Sequence, residues 1–229
     1  FLQQREFKSD VVDIYASGPL NLFGRKHDLV FGATSAEMKD KSRSNGWNLT
    51  PLNIYSYDGQ IPRLTGSYGA WPIENETTQK GAYVATRLNL SDPLKLILGM
   101  RASWYEYKSA GVQKQKEDSV ISPYAGIIYD INKYTSVYAS YSDIFKPQGN
   151  LKFGGGTVDP VVGKNYEMGV KGEFLQGRLN ASAALFRLEQ TNLATLDQAV
   201  STTACDGGRC YKAEDLVVSK GVDLGLNGE

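Results

Sequence analysis

Leu94-Lys95-Leu96-Ile97-Leu98-Gly99-Met100-Arg101-Ala102-Ser103-Trp104-Tyr105 is the stretch that decides the fold. Successive residues of an extended chain point to opposite sides. Leu94, Leu96, Leu98, Met100 and Trp104 therefore share one face, and Lys95, Gly99, Arg101 and Tyr105 share the other; Ile97 is the apolar exception on the polar side. A spanning helix needs about 20 mostly apolar residues, and Lys95 interrupts even this best run. A membrane strand needs only about 10, and it shows lipid just one of its two faces.

Outward from this run the period of two recurs. It marks nine strands near 7–21, 28–39, 79–90, 94–107, 119–131, 134–144, 164–174, 178–193 and 214–228, with no competing helical period. In the third, Val84, Thr86, Leu88 and Leu90 oppose Tyr83, Arg87 and Asn89. In the seventh, Tyr166, Met168, Val170 and Phe174 oppose Glu167, Lys171 and Glu173, so an aromatic ring stands at each end of the apolar row. Such a row, rising roughly 3.3 Å per residue and tilted by about 40°, covers about 20 Å of height, close to the apolar band of an outer membrane.

The connections carry a second signal. Joins near 22–27, 91–93, 132–133 and 175–177 read as tight, with Gly24, Pro93, Asn132 and Gly177 as turn residues. Those near 40–78, 108–118, 145–163 and 194–213 read as long. Strict alternation of short and long is expected when all turns lie on one side of a membrane and all loops on the other. The competing reading is a soluble antiparallel sandwich, whose apolar face would pack on a second sheet. Strands of about 12–15 residues argue against it, since globular strands usually run to five or six.

Composition narrows the function classes. The 229 residues carry 25 basic and 25 acidic side chains, so no field of one sign gathers nucleic acid. His27 is the only histidine and no Ser/His/Asp set or spaced carboxylate pair emerges, so enzymatic activity has no support. Gly154-Gly155-Gly156-Thr157 lacks the Gly-Lys-Ser/Thr ending of a phosphate loop and reads as loop chemistry. Cys205 and Cys210 enclose four residues in a Gly/Asp-rich segment, a spacing that suits a small disulfide, with free thiols or a metal site as alternatives. No cationic start with an apolar core and a cleavage site appears at Phe1, so a secretory signal is missing from this stretch and the N-terminus is expected upstream.

Four runs, taken together, resemble TonB-dependent siderophore receptors of the bacterial outer membrane. They are Tyr138-Ala-Ser-Tyr-Ser-Asp-Ile-Phe-Lys-Pro-Gln148, Gly163-Lys-Asn-Tyr-Glu-Met-Gly-Val-Lys-Gly-Glu-Phe174 with Gly177-Arg-Leu-Asn-Ala-Ser-Ala-Ala-Leu-Phe-Arg187, Ser91-Asp-Pro-Leu-Lys-Leu-Ile-Leu-Gly-Met-Arg101, and Ser17-Gly-Pro-Leu-Asn-Leu-Phe-Gly-Arg25. Within that family the likeness is to receptors for hydroxamate siderophores such as coprogen, or for pyoverdine-like ones. The resemblance implies an antiparallel transmembrane β-barrel of 22 strands closed by a plug domain and energised by the TonB complex. This all-β stretch is then expected to supply about nine of those strands, without the plug, the TonB-binding segment or the terminal aromatic strand, and with two unpaired edges if isolated. Iron is expected only as cargo inside a ferric siderophore, not as a cofactor, and outer-membrane lipid is the expected surrounding. A passive porin is the alternative.

A ferric siderophore suits aromatic faces with a cationic or polar partner. Loop 40–78 gathers Trp47, Tyr55, Tyr57, Arg63, Tyr68 and Trp71 among glycines that permit close turns. At the end of the fourth strand, Tyr105 and Tyr107 lie on the lumen side, whereas Trp104 on the apolar face reads as a girdle residue. The lumen-side Arg87, Arg101, Glu167, Lys171 and Glu173 read as wall charges that touch the plug. For each loop ring, packing of the loop against itself is the plainer role.

Overall fold

The computed structural model describes residues 3–44, 55, 73–200, 205 and 209–228. Its strands are β1 (Gln3–Leu22), β2 (Arg25–Ser44), β3 (Ile73–Asn89), β4 (Leu94–Ser109), β5 (Val112–Asn132), β6 (Thr135–Lys146), β7 (Val161–Phe174), β8 (Leu179–Thr191), β9 (Leu193–Leu196), β10 (Tyr211–Glu214) and β11 (Val217–Gly228). Nine of them form one open antiparallel sheet in the order β1-β2-β3-β4-β5-β6-β7-β8-β11, while β9 and β10 pair separately inside the β8–β11 connection.

The nine long strands lie where the alternation puts them, but most run further. β1 to β5 reach 16 to 21 residues, because the ladder continues beyond the apolar rows. One join differs in kind. The predicted long loop near 108–118 is a turn at Ala110 and Gly111, with the β4–β5 ladder continuing to Ser109 and Val112. Joins therefore do not alternate strictly in length. The sequence misleads here because above the membrane both faces are wet, so Glu106 to Asp118 lose the apolar period while keeping the hydrogen-bonded ladder.

Register turns the alternation into two continuous faces. Leu96, Ile127, Ala139, Met168, Leu185 and Val222 stand opposite one another across six successive strands. One residue over, Lys95, Ile128, Tyr138, Gly169, Ala184 and Asp223 form the matching row of the polar face. The apolar row is covered by nothing: Met168 is 59 % exposed and Leu185 55 %. Among the described residues the only buried apolar side chains are Val158, Val161 and Cys210, all in or beside connections. A sandwich would bury its apolar rows against a second sheet, and among the described residues no sheet covers them. So large an exposed apolar face is stable only against lipid.

The ends of the apolar rows mark the band's limits. Tyr141 and Tyr166 meet in a tilted ring contact with 5.3 Å between centroids, and Trp104 stands opposite Lys80. Beyond these rings the same face carries ion pairs: Glu37 with Lys39 at 2.7 Å, Glu6 with Lys41 at 3.3 Å, Glu106 with Lys108 at 3.2 Å, and Glu189 with Arg187 at 2.6 Å. Each is solvent-exposed and contributes little to stability; together they define the wet zone. At the other end, Asn132 closes its turn by accepting from the backbone N–H of Tyr134 at 2.8 Å and of Thr135 at 3.1 Å.

Candidate ligand-facing wall

The polar face is built on a repeated device. Tyr83 lies opposite Gly32, Tyr124 opposite Gly99, Tyr138 opposite Gly169 and Phe186 opposite Gly221, and a Cβ at each glycine would collide with the facing ring. Arg101 likewise lies over Gly81 and donates to Thr34 Oγ1 at 2.8 Å. The glycines leave space for long side chains to lie flat along the wall, which rigidifies them and keeps the interior open. Ile97, the exception in the alternation, lies opposite Gly126, where a Cβ would meet it only in ordinary contact at 3.8 Å. Tyr138 also donates to Glu167 at 2.5 Å and carries Lys171 Nζ at 4.7 Å over its ring, while Lys95 pairs with Asp130, which accepts from Ser136 Oγ at 2.7 Å. These wall charges have partners within the wall.

Tyr105 and Tyr107 emerge on the same face, on the outer part of β4. Tyr105 stands between Gln79 and Glu117, and Tyr107 between Thr77 and Gln115, with the Tyr107 hydroxyl donating to Asn75 Oδ1 at 3.1 Å. Two adjacent phenols backed by amides and a carboxylate make a surface that offers stacking and hydrogen bonds together. Higher still, beyond the apolar band, the Arg5 guanidinium beside Asp40 holds that carboxyl below the usual carboxylate range. Of the loop candidates, Tyr55 is exposed, whereas Trp47, Tyr57, Arg63, Tyr68 and Trp71 lie outside the described residues.

Cys205 and Cys210 form the expected disulfide. The sequence reading missed the residues around it that join two connections. Next to it, the Tyr211 N–H donates to the Leu151 carbonyl at 2.8 Å, so the 147–160 connection adds an edge to the β9–β10 pair. Gln148 spans the same two connections: its amide nitrogen donates to the carbonyls of Asp159 and Asn192, and its oxygen accepts from Ala194 N–H at 3.3 Å. Asn192, at φ 62°, donates to the Pro160 carbonyl at 3.0 Å. Glutamine in a Pro-Gln-Gly turn gives no sequence signal for this role.

A wide open sheet with one face for lipid, aromatic rings at the band's edge and a polar, glycine-relieved inner wall is the wall of an outer-membrane β-barrel. The comparisons sharpen this class. The chain belongs to the TonB-dependent receptor family, whose β-barrel model, described as "TonB dependent receptor-like, beta-barrel", matches residues 2–229. Members are receptors and transporters of the bacterial outer membrane, and that is where this chain resides. It is 42 % identical over 230 residues to the ferric-pyoverdine 358 receptor of Pseudomonas putida, covering 95 % of this chain and 28 % of that protein. It is 35 % identical over 233 residues to the ferripyoverdine receptor of Pseudomonas aeruginosa, covering 98 % of this chain and 28 % of that one. The crystal structure of the P. aeruginosa receptor bound to ferripyoverdine superposes with a TM-score of 0.86 at 33 % identity, over 99 % of this chain and 31 % of the other. The chain thus spans under a third of the length of these relatives.

Proposed function

We propose that this chain is the central wall of a receptor that binds a ferric siderophore of the pyoverdine type and imports it with energy drawn from the TonB complex. The observation that carries the proposal is the identity of 42 % over nearly the whole chain with a ferric-pyoverdine receptor, on a sheet whose polar face is built to line an interior. In this reading Tyr105 and Tyr107 meet the siderophore from the wall, and Trp47, Tyr55, Tyr57, Arg63, Tyr68 and Trp71 meet it from the loop after β2. The phenols stack on the chromophore or hydroxamate planes and donate to their oxygens, and Arg63 offsets negative charge on the ferric complex. Iron enters only as cargo. The wall charges Arg87, Arg101, Glu167, Lys171 and Glu173 face a plug, and the plug carries the contact with TonB.

The test is a titration of the full-length receptor with ferric pyoverdines and, for comparison, ferric coprogen, followed by tryptophan fluorescence. Saturable quenching with Kd below about 1 µM, about 8 kcal/mol of binding, is expected for at least one pyoverdine. No saturable binding, combined with ohmic conductance in liposomes, would establish a passive channel in its place.

A further inference from the structure

The connections 147–160 and 192–216 emerge from different hairpins, at the end of the sheet where the β4–β5 turn projects, yet they are fastened at three places. Gln148 bonds to both. Asn192 ties back to Pro160, and its own N–H donates to Glu214 O at 2.9 Å. The Leu151–Tyr211 backbone bond adds the third, beside Cys210, which is buried, as is Val158; the Cys210 carbonyl accepts from Asp197 N–H at 2.9 Å. From this joint the hairpin at Lys152 to Gly156 projects, its tip formed by Gly154, Gly155 and Gly156, all with positive φ, and by exposed Phe153.

We infer that the described parts of the two connections, 147–160 with 192–200 and 209–216, act as one pre-organised rim at the outer mouth, and that Gln148 is a positioning residue that slows the release of a ligand held there. The inference rests on the siderophore-receptor reading. Physically, a loop that is already ordered loses little conformational freedom when a ligand settles on it, so the bound state is not penalised by the cost of ordering. Gln148 touches no ligand in this account. It fastens two segments into one, and its effect falls on the dissociation rate, since encounter depends on the exposed surface and not on the joint.

The experiment uses the full-length receptor, with hydrogen exchange of the free protein read beside the release of ferric pyoverdine. In Gln148→Ala, amides of both connections are expected to exchange about tenfold faster together, and dissociation to quicken about tenfold with association unchanged, the size of one to two net hydrogen bonds. Gln148→Glu retains size and the acceptor but loses the two donated bonds, and Asn192→Gly removes the second fastening, the bond to the Pro160 carbonyl, while tolerating the positive φ, so a folding defect in one variant leaves two more to decide. Faster exchange confined to one connection would overturn the single-rim claim. Coupled acceleration with unchanged release would overturn the ligand role. A wild-type receptor that binds no ferric siderophore defeats the functional reading and the ligand role together, while exchange still decides whether the rim is one unit.

Discussion

Gly169 shows what a single residue does in this wall. A Cβ there would lie 2.6 Å from the Ala183 carbonyl oxygen and 2.9 Å from the Tyr138 ring. The ring is the far end of a side chain and can yield at the expense of its bond to Glu167, whereas the carbonyl belongs to the β7–β8 ladder and cannot. Gly99 differs, because its collision is with the far end of Tyr124 alone. Gly169→Val is therefore expected to destabilise the full-length receptor by about 1–3 kcal/mol, the cost of forcing atoms into a packed site. Gly99→Ala is expected to cost under about 1 kcal/mol, as for substitutions that neighbours absorb. Urea titration of the folded band in a heat-modifiability gel measures both, and equal losses would show that the ring, not the carbonyl, sets the penalty. The sequence places Gly99 on the polar face, but which ring covers it depends on cross-strand register, and no period within one strand encodes that.

The β4–β5 hairpin carries the lesson at the scale of an element. Where one face meets lipid, hydrophobicity must alternate, and there the strands were legible from Leu94 to Trp104. Beyond Trp104 the pattern dissolves although the ladder does not, since Tyr107 still pairs with Thr77 and Gln115. The Tyr105–Tyr107 pair was legible because its parity continues that of Lys95 and Arg101; the Gln148 joint was not, because it depends on contacts between distant connections. The hairpin ends with Ala110 at φ 52° and Gly111 at φ 73°, the pair of positive values that a two-residue turn needs to match strand twist. Ala110 N–H still donates to Glu74 O at 3.0 Å, which ties the hairpin's tip to β3. A β-branched residue at Gly111 meets the left-handed penalty of about 1–2 kcal/mol. Gly111→Val is thus expected to speed exchange of the Ala110 amide about tenfold while leaving amides below Trp104 protected. Unchanged exchange at Ala110 would mean that the tip is held by something other than its turn.

For the whole molecule, the decisive property is which face meets lipid, because the uptake reading and the inner wall both depend on it. Leu185 and Ala184 are neighbours on β8 and so sit at nearly the same depth, one in the apolar row with Met168 and Val222, the other in the polar row with Gly169 and Asp223. Depth cancels between them and only facing remains. With nitroxide labels at Leu185→Cys and Ala184→Cys in the full-length receptor in bilayers, the Leu185 label is expected to be relaxed by oxygen, which concentrates in hydrocarbon, and the Ala184 label is not. The substitution Leu185→Arg is expected to cost about 2–4 kcal/mol, as for a cation near the bilayer midplane, and Ala184→Arg to cost less than that, provided the plug leaves room. Reversed relaxation would turn the sheet inside out: Lys95, Glu167 and Asp223, at the depth of the apolar row, would then face lipid, an arrangement of charges in hydrocarbon whose cost of about 2–4 kcal/mol for each cation alone no barrel wall sustains.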